Sequence, residues 1–174
     1  MLQYFQAPRK TTMAFYGLFA GILSLTLTLG PRCFLPSVQG AGGDVAVVVH
    51  PDTPADSLSL AQARKLLLGE QQFWNPRLRV TLLLLAPTAP ERAVVLRVIY
   101  RMSEAEFRQY WISKMFRAEA VDGPKVVLSN EVAMELVSAL PGSVAFVDAA
   151  QVPKGLKILK IDGKLPGQPG YPLK

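Results

Sequence analysis

Cysteine and histidine are almost missing from this 174-residue chain, which holds one of each, Cys33 and His50. One cysteine excludes a disulfide framework and any cysteine-rich zinc site. One histidine excludes a metal centre built from several imidazoles. The nucleophile, metalloprotease and phosphate-loop signatures GxSxG, HExxH and GxxxxGK[ST] are absent as well, and no solenoid, heptad or collagen period runs through the chain. What the chain does have is apolar substance. Half of its residues are hydrophobic and only 18% are charged, so burial can offset the entropy of ordering and a disordered chain is excluded. The length suits one domain plus a targeting segment.

That segment comes first. Arg9 and Lys10 precede Ala14–Leu29, an uncharged apolar run of sixteen residues that Gly30-Pro31 breaks. A basic start followed by such a run is the pattern of an export signal, and it falls short of the roughly 20 residues that span a bilayer comfortably. Val38-Gln39-Gly40 offers a cleavage site. The expectation is a signal peptide over residues 1–40, or the same segment retained as an anchor, followed by a periplasmic or secreted domain over 41–174. The leader holds Arg9, Lys10 and Arg32 and no acid, which leaves 16 basic and 13 acidic side chains beyond it, a net of +3. These charges are interspersed and form no stripe, which argues against nucleic acid as a partner. Contact with a membrane is expected only through an uncleaved leader.

Beyond Gly40-Ala41-Gly42-Gly43, β and α signals alternate. Val45–Val49 is an unbroken β-branched run, the mark of a strand covered on both faces. Ser59 with Gln62, Thr88 with Glu91 and Ser103 with Glu106 have capping-box spacing, and Gly69 suits the residue after a helix end. Arg79–Leu85, Lys125–Leu128, Ser143–Val147 and Leu156–Ile161 read as further strands. Glu131–Ala139 reads as a helix capped by Ser129-Asn130, and Phe107, Tyr110, Trp111 and Met115 as a core-facing helical stripe. Phe73–Pro76 reads as an aromatic turn packed over the first strand. Gly163–Lys174, rich in Pro and Gly, reads as a segment lying extended on the surface. The sum predicts a three-layer α/β domain with a mostly parallel sheet.

In such sheets ligands settle beyond the carboxyl ends of strands, beside helix starts. Thr88, Arg92, Ser129 and Ser57 are therefore the candidate ligand-binding residues, as hydroxyl donors and one fixed positive charge. Capping alone also accounts for Ser59, Thr88 and Ser129. No acid–base pair or activated nucleophile stands out, so a non-enzyme is expected, with no cofactor and no metal. His50, alone at a strand end beside Pro51, reads as structural.

The order of segments resembles the phosphate-binding, substrate-binding proteins of ABC transporters, in the lobe that follows the hinge. Val47-Val48-Val49-His50-Pro51, then Leu58-Ser59 through Leu66-Leu67-Leu68-Gly69, then Trp74 stand where that family has a strand ending in Asn-Pro, a helix and a Trp. Pro141–Val147 is similar to its "Pro-Gly-x-Ile-Gly-Tyr-Val" strand, Ser129–Val137 to the helix before it, and Pro166–Leu173 to the close of short single-lobe members. The resemblance covers residues 45–173. It implies one lobe of a type 2 periplasmic binding protein, phosphate or another small oxyanion as ligand, and an ABC-type transporter or other envelope protein as partner. The alternative is a single-lobe envelope scaffold without a ligand. At the place of the family's Ser-Gly-Thr turn this chain has Pro87-Thr88-Ala89-Pro90-Glu91-Arg92, which keeps one hydroxyl and puts a carboxylate where an anion needs bare donors. Only one lobe is expected, so no second one closes over the crevice.

Overall fold

The computed structural model describes residues 43–174; the leader and its cleavage site lie outside the described residues. The elements are β1 (Val45–Val49), β2 (Ser57–Leu58), α1 (Leu60–Leu67), β3 (Phe73–Asn75), β4 (Leu78–Arg79), β5 (Thr81–Leu85), α2 (Pro90–Val95), α3 (Glu104–Phe116), β6 (Lys125–Val127), α4 (Asn130–Ala139), β7 (Ser143–Asp148) and β8 (Lys157–Ile161). Six strands form one sheet in the order β2-β8-β1-β7-β5-β6, and β3 and β4 make a separate hairpin. β5 runs parallel to both β6 and β7, and β2 parallel to β8, so parallel pairs predominate. β1 is the exception, antiparallel to β7 and to β8.

Strand alternation divides the core in two. Val45, Val47, Val49, Leu82, Leu84, Val144, Phe146, Leu159 and Ile161 face one side, where α1, α2 and α3 deliver Ala63, Leu66, Val95, Phe107 and Trp111. Ala46, Val48, Leu83, Leu85, Ala145 and Val147 face the other, where α4 brings Ala133 and Val137. The helices therefore flank the sheet on both faces, the three layers that continuous apolar strands require.

Two capping boxes form as their spacing predicts. Ser59 accepts from the Gln62 N–H while Gln62 accepts from the Ser59 N–H, and Ser103 and Glu106 exchange the same pair. The two bonds from Ser103 hold the Glu106 carboxyl below its usual range. Its share of helix stability is thus present above the ordinary glutamate range and fades as pH falls through the lowered value. Ser103→Ala is expected to cost about 1 kcal/mol in thermal unfolding.

Elsewhere the structure corrects the sequence reading. Thr88 is not a cap: α2 starts one residue later, with Ala89 in an extended conformation, no side-chain cap bond, and Pro90 in the first turn. Glu91 is thereby released from capping and turns inward. On α3 the buried face takes Phe107, Trp111 and Lys114, while Met115 is exposed. The ammonium of Lys114 reaches back to donate to the Leu68 carbonyl at 2.8 Å, so its stem packs where a methionine was expected. The aromatic turn is the β3–β4 hairpin; Phe73 is exposed and only Trp74 turns in. The closing Pro/Gly segment does not lie free on the surface. Tyr171 and Leu173 are buried, the Leu173 carbonyl accepts from the Val45 N–H, and the Tyr171 hydroxyl donates to the Val45 carbonyl at 2.7 Å. The tail's alternate side chains are apolar enough to seal the core beside β1.

Candidate functional site

Because β5, β6 and β7 are parallel, their carboxyl ends share one edge of the sheet, and α2, α4 and a 3-10 turn (Ala149–Gln151) begin there. The amino end of antiparallel β1 joins them. Gly43, Val45, Pro90, Glu91, Val94, Asp148 and Gln151 enclose a hollow of about 180 Å³ at this edge. It is the place where the topology of an open α/β sheet puts a ligand.

One side chain ties the edge together. Asn130, at the start of α4, donates from Nδ2 to Glu91 Oε1 at 2.9 Å and accepts at Oδ1 from the Asp148 N–H at 3.2 Å. Glu91 is only 9% exposed and stands in the first turn of α2. Asp148 accepts from the Ala150 N–H through Oδ1 at 3.0 Å and from Gln151 Nε2 through Oδ2 at 3.1 Å. Among the described residues the hollow is therefore lined by two carboxylates and by no basic residue.

Arg92 points away from it. At 4% exposure, its guanidinium grips Glu104 through Nε at 3.0 Å and Nη2 at 2.6 Å, donates from Nη1 to the Leu85 carbonyl at 2.8 Å, and lies 5.1 Å above the Phe107 ring. The fork-to-carboxylate geometry makes it a strut joining α2, α3 and the end of β5. Beyond α2 the chain widens into a π-helical turn, Leu96–Tyr100, that ends at Arg101 in the left-handed region (φ 56°). That turn sinks Tyr100, whose hydroxyl donates to the Leu67 carbonyl at 2.8 Å and whose pKa burial pushes up.

The four candidate residues part company here. Thr88 is exposed in the turn before α2. Ser129 opens α4, where its hydroxyl accepts from the Val132 N–H. The Glu91–Asn130 bond brings these two helix starts together. Ser57 does not join them: it lies in β2, at the opposite edge of the sheet. Arg92 belongs to the same helix as Glu91 but is turned to α3. His50 uses Nδ1 to accept from the Asp52 N–H at 3.2 Å, a local turn bond. The sequence places Asn130 with Ser129 in the cap of α4 but assigns no role to Asp148 or Gln151. The usable signal was positional, since Asp148 ends β7 and Asn130 follows β6, both strands of the parallel set.

A second hollow, about 160 Å³, sits near the opposite ends of β5 and β6; Leu66, Val80, Leu82, Trp111 and Ala120 supply its apolar wall. No group of three or more potential metal ligands converges among the described residues, and no described helix is long and apolar enough to cross a membrane.

No family model and no curated protein matches the sequence. Solved structures do match the fold. A putative phosphate ABC transporter substrate-binding protein with bound phosphate from Clostridium perfringens superposes with a TM-score of 0.55 at 14% identity, over 69% of this chain and 45% of its own. An ABC-type phosphate transport receptor from Vibrio cholerae gives 0.56 at 16% identity, over 71% and 48%. PstS from Borrelia burgdorferi gives 0.55 at 19% identity, over 71% and 49%. The fold is thus that of a lobe of these periplasmic binding proteins, and the chain spans about half the length of the structures it matches.

Proposed function

We propose that this chain is an exported module of the substrate-binding-protein type that works through contact with an envelope protein of the transport class, without gripping a free oxyanion. One observation carries the reading. At the fold's ligand edge, the Glu91 carboxylate occupies the gap between the starts of α2 and α4, held there by Asn130. An oxyanion placed in that gap would meet Glu91 and Asp148 in a partly buried setting, where like charges repel strongly. Among the described residues lining the hollow there is no cation in compensation, and Arg92 is committed to Glu104. The absence of a nucleophile–base pair in the sequence supports a non-enzymatic role, and the basic, apolar leader over residues 1–40 supports export.

The likeness to a phosphate-bound structure favours a second reading, in which this lobe takes phosphate or another small oxyanion at Thr88 and Ser129. One measurement separates the two. A ligand selective for the native state at 100 times its Kd adds about 2.7 kcal/mol, several degrees of melting temperature for a domain of this size. With phosphate, sulfate or acetate at about 10 mM, the proposed reading expects a shift under about 1 °C. A rise above about 3 °C that is specific to one anion and is lost in Ser129→Ala would replace it with the oxyanion reading.

A further inference from the structure

The edge strand β6 is open. It pairs only with β5, and among the described residues no backbone hydrogen bond outside that ladder involves residues 120–128. Such an edge offers a row of donors and acceptors that a further strand completes. Exposed apolar side chains lie along it, Val121 at 74%, Val126 at 56% and Leu128 at 84%, interspersed with the exposed Asp122 and Lys125. By its pairing with Leu84, Val126 lies on the α3 side of the sheet. On that side α3 turns Ile112, Met115 and Phe116 outward, the last 91% exposed. Gly123 links helix to strand, close beside Trp111 and the Met115 sulfur. Exposed apolar side chains therefore stand both on α3 and on the strand edge, with Gly123 between them.

We infer that two copies of this chain join at β6, antiparallel about a twofold axis, extending the sheet across the pair while each α3 stripe covers the other copy's edge. Extent and charge favour a second copy as the occupant. Full cover of these six side chains would bury roughly 700 Å² per copy, about 1,400 Å² per pair, within the range of a standard specific interface. The patch is also electrically balanced: Arg117 pairs with Glu119 at 2.6 Å, and Asp122 offsets Lys125, so identical surfaces meet without net repulsion. An antiparallel pair of identical strands satisfies both edges at once, as an isologous contact requires. The inference is independent of whether the crevice holds a ligand.

The test is sedimentation of the purified, natively processed chain between about 1 and 200 µM, where a Kd in the micromolar range would show as a monomer–dimer transition. Val126→Glu and Leu128→Glu are expected to weaken the dimer at least tenfold while leaving the melting temperature of the monomer unchanged, because both side chains are exposed. Ala61→Glu, on α1 near the far edge of the sheet, should leave the dimer intact. A cysteine introduced as Val126→Cys should crosslink two copies under mild oxidation, whereas Ala61→Cys should not. The inference is overturned by a wild-type chain that stays monomeric across the whole range, or by a dimer that Val126→Glu and Leu128→Glu leave unaltered. It is equally overturned if Val126→Cys yields no crosslinked pair of copies.

Discussion

Arg92→Ala is expected to lower unfolding stability by about 3 kcal/mol or more, the range for removing one partner of a buried ion pair. The loss has three sources. Glu104 loses its bidentate counter-ion in a half-shielded site, the Leu85 carbonyl loses its donor, and the methylene stem leaves a gap beside Phe107. Arg92→Lys keeps the charge and much of the stem but cannot fork, so an intermediate loss is expected. Glu104→Ala should also destabilise, because it strands the guanidinium in the interior. The double variant should then be less destabilised than the two single losses added together, as coupled partners are. Urea unfolding of the wild type and the four variants measures this. A cost below about 1 kcal/mol for Arg92→Ala would show that the guanidinium is not a strut, and its candidacy as an anion ligand would reopen.

Gly142→Ala should destabilise by a comparable amount, for a different reason. Gly142 sits at φ +78°, and a Cβ there would lie 2.1 Å from the backbone carbonyl oxygen of Arg79. A left-handed conformation alone costs an alanine roughly 1–2 kcal/mol; the clash adds to it, since neither backbone can swing aside. The Gly142 carbonyl accepts from the Thr81 N–H at 3.1 Å and from Trp74 Nε1 at 2.9 Å. Any shift therefore disturbs the start of the β5–β7 ladder and the anchor of the β3–β4 hairpin together. Gly167→Ala supplies the control, because Gly167 has φ +84° and nothing within 4 Å of the added carbon. Thermal unfolding should show a clearly larger loss for Gly142→Ala, and equal losses would mean that the close approach carries no energy.

Helix caps could be read from residues alone. Ser59 and Ser103 cap the helices their spacing announced, and Ser129 the helix it precedes, because a capping bond closes within three residues and needs no distant partner. The Thr88 cap failed for an equally local reason that outranks spacing: the chain enters α2 through Ala89 and Pro90. The roles of Glu91 and Arg92 could not be read in this way. Adjacent on one short helix, they go to opposite neighbours, Glu91 to Asn130 and Arg92 to Glu104, and nothing within the helix states which neighbour stands where.

The alternating order of apolar strands and capped helices was enough to determine the layered α/β class, since strands apolar on both faces need helices on both sides. Strand direction and the tail's burial were decided in three dimensions. β1 could enter antiparallel because its two neighbours, β7 and β8, come from the far end of the chain, and Tyr171 and Leu173 could close the core only once β1 lay beside them. Local pattern sets which residues seek burial; the pairing of segments more than a hundred residues apart sets where they find it.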